Sequence, residues 1–349
     1  MNTAVAAVPT KPWKLSHRER ASDIAIFLIA ISTSYGLVAT TPMKGKLAYF
    51  GGFFLVYAIL TSMFKARQRG SAAAKDALVN SLVAIGAIVT VIPAASILAT
   101  VVKKGMPGIS FSLFTHDMAL ATPTDPLNNG GLLHAITGTL TLVAIALILS
   151  VPIGILTALY LTEIKGRFTN PIRFLVQAMS GVPSIVAGLF ILSAILYPIT
   201  KAYSGLMGSL ALTILMIPTI ARTSEEVLNL IPNELREAGT ALGGTQWRTV
   251  AMIVLPAAKS GLVTAIILGV ARIAGETAPI LLLTGGGDRV NANAFNGPMG
   301  SLPYYIWKSF NAGSPEAITR AWAGLLVLVA LVLILFTLAR FLSSRKAAT

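Results

Sequence analysis

The chain has 349 residues, 55% of them hydrophobic and only 11% charged, with a mean hydropathy of +0.77. That charged share is about half of what a soluble domain carries, so a large part of the surface must face lipid, and the chain reads as a polytopic membrane protein. The absence of cysteine excludes disulfides, thiolate metal sites and cysteine nucleophiles, and the net charge of +14 fits basic flanks of membrane helices better than a nucleic-acid surface.

The N-terminus is basic (Lys11, Lys14, Arg18, Arg20) and turns apolar at Ile24. "IAIFLIAISTSYGLVAT" is of spanning length, too long for the apolar region of a cleaved signal peptide, and is read as a retained helix. In chain order the apolar segments are 23–41, 47–64, 77–102, 131–162, 171–199, 205–222, 259–284 and 321–342. Each is expected to be helical, because lipid offers no partner to open backbone groups. Pro93, Pro152, Pro183 and Pro218 fall inside them as candidate kinks.

With the N-terminus placed inside, 18 of the Lys and Arg residues lie on inner connections and 8 on outer ones. This bias predicts eight helices with both termini in the cytoplasm. The basic, small-residue stretch "KARQRGSAAAK" (65–75) separates the first two helices from the other six. The expected organisation is therefore an N-terminal two-helix extension, residues 1–74, and a six-helix core, residues 75–349. Two long outer connections, 103–130 and 285–320, are rich in Gly, Pro, Asn and Thr and are expected to carry short surface structure, a candidate docking face. His17, His116 and His134 are scattered, with no pairing that suggests a metal site.

The inner connection 223–258 differs from these loops. It holds four of the thirteen acidic residues (Glu225, Glu226, Glu234, Glu237) and looks helical. Its part 237–256 reads "EAGTALGGTQWRTVAMIVLP". "EAGTAL" and "TQWRTVAMI" can form two short helices, with Gly243–Gly244 permitting a sharp turn between them. Leu242, Trp247 and Val250 offer an apolar anchor to a partner protein. Glu237, Ala238, Gly239, Gly243 and the closing Ile253, Leu255 and Pro256 match the EAA, three residues, Gly, nine residues, I-x-L-P pattern. The segment thus resembles the coupling loop of binding-protein-dependent ABC importer permeases, with Gly239 in place of the usual second alanine. "GVPSIVAGLF" (181–190), "RTSEEVL" (222–228) and "ARIAGETAPILLL" (271–283) narrow this to a resemblance to the A-type phosphate permeases, the PstA family, over roughly residues 76–345.

That resemblance implies an all-α type I ABC importer permease fold, with the family region at about 133–341. It implies an ATPase subunit docked on 237–256, with two ATPase copies beneath the permease pair, a C-type permease as partner, an external phosphate-binding protein, inorganic phosphate as substrate and the bacterial inner membrane as location. The chain has no G-x-x-x-x-G-K-[ST] loop, and "TGGGDR" (284–289) lacks the lysine, so ATP and Mg are expected on the partner and no cofactor or covalent chemistry on this chain.

Arg272 and Glu276 stand four residues apart inside an apolar run, Glu276 being the only acid deep within any such segment. Intramembrane charges are costly and face an interior or a water-filled path. One reading is a structural ion pair; the other is a path-lining arginine for an oxyanion, tempered by its carboxylate. Gly275 is expected to permit close helix approach, and the helix to break at Pro279. Arg222 and Glu225 form a second candidate pair, as an interface anchor or as an exit gate. Pro183 and Ser184 mark either a break lining the path or a packing kink. An importer of another oxyanion (sulfate, molybdate) and an ion-coupled secondary transporter remain the alternatives, the latter having no need of a coupling loop.

Overall fold

The computed structural model describes residues 17–42 and 45–345. Lys11, Lys14, Lys44 and Lys346 of the charge count lie outside the described residues. The described residues are helical apart from loops, turns and one isolated bridge between Gly285 and Met299. They divide into two compact units, one ending at Ala99 and the other starting at Thr100.

The first unit contains α1 (His17–Thr40) and most of α2 (Lys46–Gly105). At 60 residues α2 is about three bilayer cores long, and it is broken at Gly70, whose φ of 84° and ψ of −176° suit a residue without Cβ. The stretch 65–75 is therefore helical on both sides of one break rather than a loose linker. Ile26, Ala30, Ser34 and Val38 recur every four residues as the buried stripe of α1. Phe27 meets Phe53 edge-on at 5.3 Å, Tyr35 stacks on Tyr49 at 5.6 Å, and the Ser34 hydroxyl donates to the Tyr49 carbonyl at 3.2 Å. Outward-facing positions stay apolar, with Leu47 89% and Val83 66% exposed, as a lipid-facing surface requires.

The second unit continues with α3 (Phe111–Thr115) and α4 (Leu133–Leu159), which α-helical bonding leaves for a π turn over Tyr160–Ile164. Next come α5 (Thr169–Ser180) and α6 (Ser184–Ile191), the latter running into a π segment to Thr200. α7 (Gly205–Asn229), α8 (Asn233–Ala241), α9 (Gln246–Thr249), α10 (Leu255–Ala274), α11 (Ala278–Leu283), α12 (Leu302–Ala312) and α13 (Pro315–Arg345) complete it. Its core is a layer of Leu142, Ala146, Leu215, Met216, Ile220 and Ile273 from α4, α7 and α10. Gly154 lets α4 approach α7 closely: a Cβ there would lie 2.7 Å from Ile220. Gly269 does the same for α10, where a Cβ would sit 2.9 Å from Met216.

Six of the described helices are long and apolar enough to cross a membrane, or seven if α5 and the 184–200 segment, bent by 105°, make one span. One of the six, Lys46–Gly108, holds two expected apolar segments on either side of Gly70, so dividing it there approaches the eight predicted from sequence.

The long connections 103–130 and 285–320 are structured and joined to each other. The Asp117 carboxylate accepts the amides of Ala119 at 3.0 Å and Val290 at 3.2 Å, and the Met118 amide donates to the Asp288 carbonyl. Partial burial pushes the Asp117 carboxyl up, but those two amides outweigh it and hold the group below its ordinary value. Arg320, 1% exposed, donates to the carbonyls of Asp125, Pro126 and Asn129 at 3.2, 2.6 and 2.6 Å, replacing the water that these groups have lost. Lys308 pairs with Asp288 at 2.6 Å.

Candidate functional site

The expected charged pair lies at a helix end. α10 stops at Ala274, Gly275 caps it with φ −105° and ψ 5°, and Glu276 and Thr277 precede α11. The predicted break at Pro279 thus falls at residues 275–277. Pro279 instead occupies the first turn of α11, where a missing N–H costs nothing. Gly275 is not a close-approach site, because a Cβ there would meet nothing within 4 Å. The close approach belongs to Gly188 of α6, whose Cβ would lie 2.9 Å from Cα of Pro279.

Arg272 and Glu276 face each other, but loosely: Nη1 and Oε1 are 3.8 Å apart, and the two side chains are 46% and 14% exposed. Glu276 sits beyond the last helical turn, so the tight i, i+4 geometry of a continuous helix is lost. The guanidinium is therefore not sequestered by its carboxylate.

Pro183 caps α6 and Ser184 begins it, at the 105° bend between α5 and α6. Pro183 is exposed and Ser184 half-buried. Both broken helices thus pack their second limbs together, α6 on α11, through Gly188 and Pro279.

Arg222 and Glu225 do not pair. α7 runs on to Asn229, so Arg222 lies within the helix rather than at its end, and it is exposed. Glu225 takes Arg173 of α5 instead, accepting from Nε at 3.1 Å and Nη2 at 2.7 Å. Arg173, Gln177, Arg222, Glu225 and Glu226 line a cavity of about 120 Å³. Arg173 was not singled out from sequence, since 52 residues separate it from its partner.

The segment 237–256 folds as two short helices around a glycine turn. α8 ends at Ala241, Gly243 takes φ +80°, and Thr245 caps α9 by accepting the Arg248 amide. Glu237 and Ala238 are exposed on α8. Gly239 is buried, and a Cβ there would come within 2.7 Å of Thr249 Cγ2 and 2.8 Å of Ile253 Cδ1. This explains why glycine stands where the motif has alanine: α9 lies too close for a methyl group. Leu242 is 88% and Trp247 62% exposed, whereas Val250, grouped with them as an anchor, is 3% exposed and belongs to the core beneath. Pro256 lies in the first turn of α10 and is exposed.

Two residues that hold this element in place were missed by the sequence reading. Arg236 of α8 donates to Glu163 from Nε at 3.2 Å and Nη2 at 2.9 Å, and to the carbonyls of Ile231 at 2.6 Å and Leu228 at 2.9 Å. Glu163 lies 73 residues earlier, in the π turn that ends α4, and its side chain is 8% exposed.

Residues 150–348 match the family described as the binding-protein-dependent transport system inner membrane component. "Phosphate transport system permease protein PstA 1" of Mycobacterium tuberculosis is 37% identical over 264 residues, 74% of this chain and 86% of that protein. "Phosphate transport system permease protein PstA" of Pasteurella multocida is 40% identical over 253 residues, 72% of this chain and 88% of that protein. Among solved structures, a chain of the MetNI methionine ABC transporter superposes with a TM-score of 0.46 at 19% identity, covering 61% of this chain and 91% of that one. The chain belongs to the binding-protein-dependent transport system inner membrane components and, among them, to the PstA permeases.

Proposed function

We propose that this chain is one of two permease subunits of an ATP-driven phosphate importer in the bacterial inner membrane, with both termini in the cytoplasm. A C-type permease completes the path. Two copies of an ATPase bind beneath it, carrying the ATP and Mg, and an external phosphate-binding protein docks on the joined loops 103–130 and 285–320. This chain contributes position and charge, and no covalent chemistry.

The observation that carries this reading is the 237–256 element: two helices in fixed relation, with Leu242 and Trp247 exposed. Large apolar residues on a rigidly held polar surface suit a protein partner. The names of the relatives supply the substrate.

Phosphate crossing a low-dielectric region needs a cation with several donors, and a guanidinium offers a planar fork that fits two oxygens at once. Arg272 is half exposed at the break between α10 and α11, and Glu276 at 3.8 Å is near enough to compete with the anion without already neutralising the arginine. This arrangement favours binding that remains reversible. At the inner end, the cavity with Arg173, Arg222 and Glu225 gives the ion a second, weaker stop before release.

The test is purification from gently solubilised membranes followed by reconstitution. Two ATPase chains and one second permease should accompany this chain, and vesicles containing the complex and the binding protein should accumulate phosphate only with ATP. Recovery of the chain without an ATPase, or uptake of sulfate or molybdate but not phosphate, would refute the proposal.

A further inference from the structure

The coupling element has few ways to move the membrane helices. Its two helices are joined to α7 by three residues and run into α10 through the π segment Val250–Val254. A push on Trp247 or Leu242 could be absorbed by the glycine turn at Gly243, unless something ties the element to the bundle by another route.

Such a tie exists at Arg236. Its guanidinium reaches three parts of the chain at once: the Glu163 carboxylate at the end of α4, the Leu228 carbonyl in the last turn of α7 and the Ile231 carbonyl just beyond. The side chain of Gln246, in the first turn of α9, donates to the Glu163 carbonyl at 2.6 Å. Glu163 is thus gripped by both coupling helices, through its side chain by α8 and through its backbone by α9. A forked guanidinium on a carboxylate fixes direction as well as distance, which a lysine at the same place would not do. The pair is shielded, with 21% and 8% of the side chains exposed, so salt and water weaken it little. Beneath it, Ala158 and Leu159 of α4 pack with Leu228 of α7 and Val250. Displacing α8 therefore displaces the ends of α4 and α7 together, the two helices that form the centre of the core.

We propose that Arg236 and Glu163 are the positioning pair through which the coupling element drives α4 and α7, rather than part of the surface that docks the ATPase. This rests on the transport reading above. It assigns docking and transmission to different residues of one element: Leu242 and Trp247 outside, Arg236 and Glu163 within.

The experiment uses the whole transporter in proteoliposomes with the external binding protein. The variants Glu163→Gln and Arg236→Lys preserve size and remove one charge or the fork; Trp247→Ala serves as the docking control. ATPase retention, ATP hydrolysis and phosphate uptake are measured on the same vesicles. Both charge-pair variants should retain the ATPase at the parent stoichiometry and still hydrolyse ATP, while the phosphate moved per ATP falls by about tenfold or more, the size of a typical coupling energy. Trp247→Ala should instead release the ATPase. Parent-level phosphate per ATP in both pair variants would overturn the proposal. So would loss of the ATPase from both, which would make the pair a support of the docking surface. A parent complex that never retains an ATPase would instead refute the transport reading itself.

Discussion

At the residue scale, the roles of Arg272 and Glu276 turn on how strongly the two groups hold each other. At 3.8 Å and with Arg272 half exposed, the pair contributes on the order of 0–1 kcal/mol to stability, as exposed pairs do. Arg272→Gln should therefore leave assembly intact and lower uptake at least about a hundredfold, because the path loses the fork at the break between α10 and α11 while the fold loses little. Arg272→Lys should fail substantially as well. If the pair were structural, removing both charges would restore what removing one destroys. The double variant Arg272→Gln with Glu276→Gln, assayed for complex recovery and for uptake, separates the two cases: near-parent uptake would rule out the path role. The i, i+4 spacing of these residues was legible in the sequence. The helix end between them was not, because Pro279 drew the expected break toward itself, and a single glycine between Ala274 and Glu276 does not announce a cap. The partners of Glu225 and Arg236 were illegible for another reason: they are 52 and 73 residues away, and no local pattern brings them together.

At the element scale, hydropathy located the helices better than it ended them. The apolar run stops at Arg222, yet α7 continues seven residues through "TSEEVLN", since leaving the lipid removes the demand for apolar side chains but not the helix. The 237–256 element was legible for the opposite reason. Its turn needs a residue at positive φ, and glycine supplies that at little cost, so Gly243 marked the corner in the sequence as it does in the structure. A Cβ at position 243 would meet nothing within 4 Å, so the penalty of Gly243→Asp is chiefly backbone strain of roughly 1 kcal/mol or more at the corner. The variant should insert and assemble with the second permease, but its two coupling helices should meet the ATPase at the wrong angle. Expected is normal expression with phosphate uptake reduced at least about tenfold. Normal uptake at normal expression would show that the corner's geometry is not read by a partner.

At the scale of the whole molecule, the count of spans decides which surface meets the ATPase. The break at Gly70 makes one 60-residue helix into two limbs, and only with two limbs does the 230–254 connection fall on the same side as the N-terminus. The Lys and Arg bias argues for that side being the cytoplasm. A reporter inserted after Gly70 should accordingly report inside, and one near Asn128, in the loop that Arg320 holds, should report outside. Deleting residues 1–64 removes two spans, an even number, so the rest of the chain should keep its orientation and the Asn128 reporter its external signal. Were α2 to cross once without turning at Gly70, the Asn128 reporter of the full chain would already lie inside with the N-terminus, and the deletion, removing α1 as a single span, would move it outside. In the full chain, an external signal at Gly70 or an internal one at Asn128 would place the exposed Trp247 and Leu242 on the face opposite to ATP. The ATP-driven reading could not survive that result.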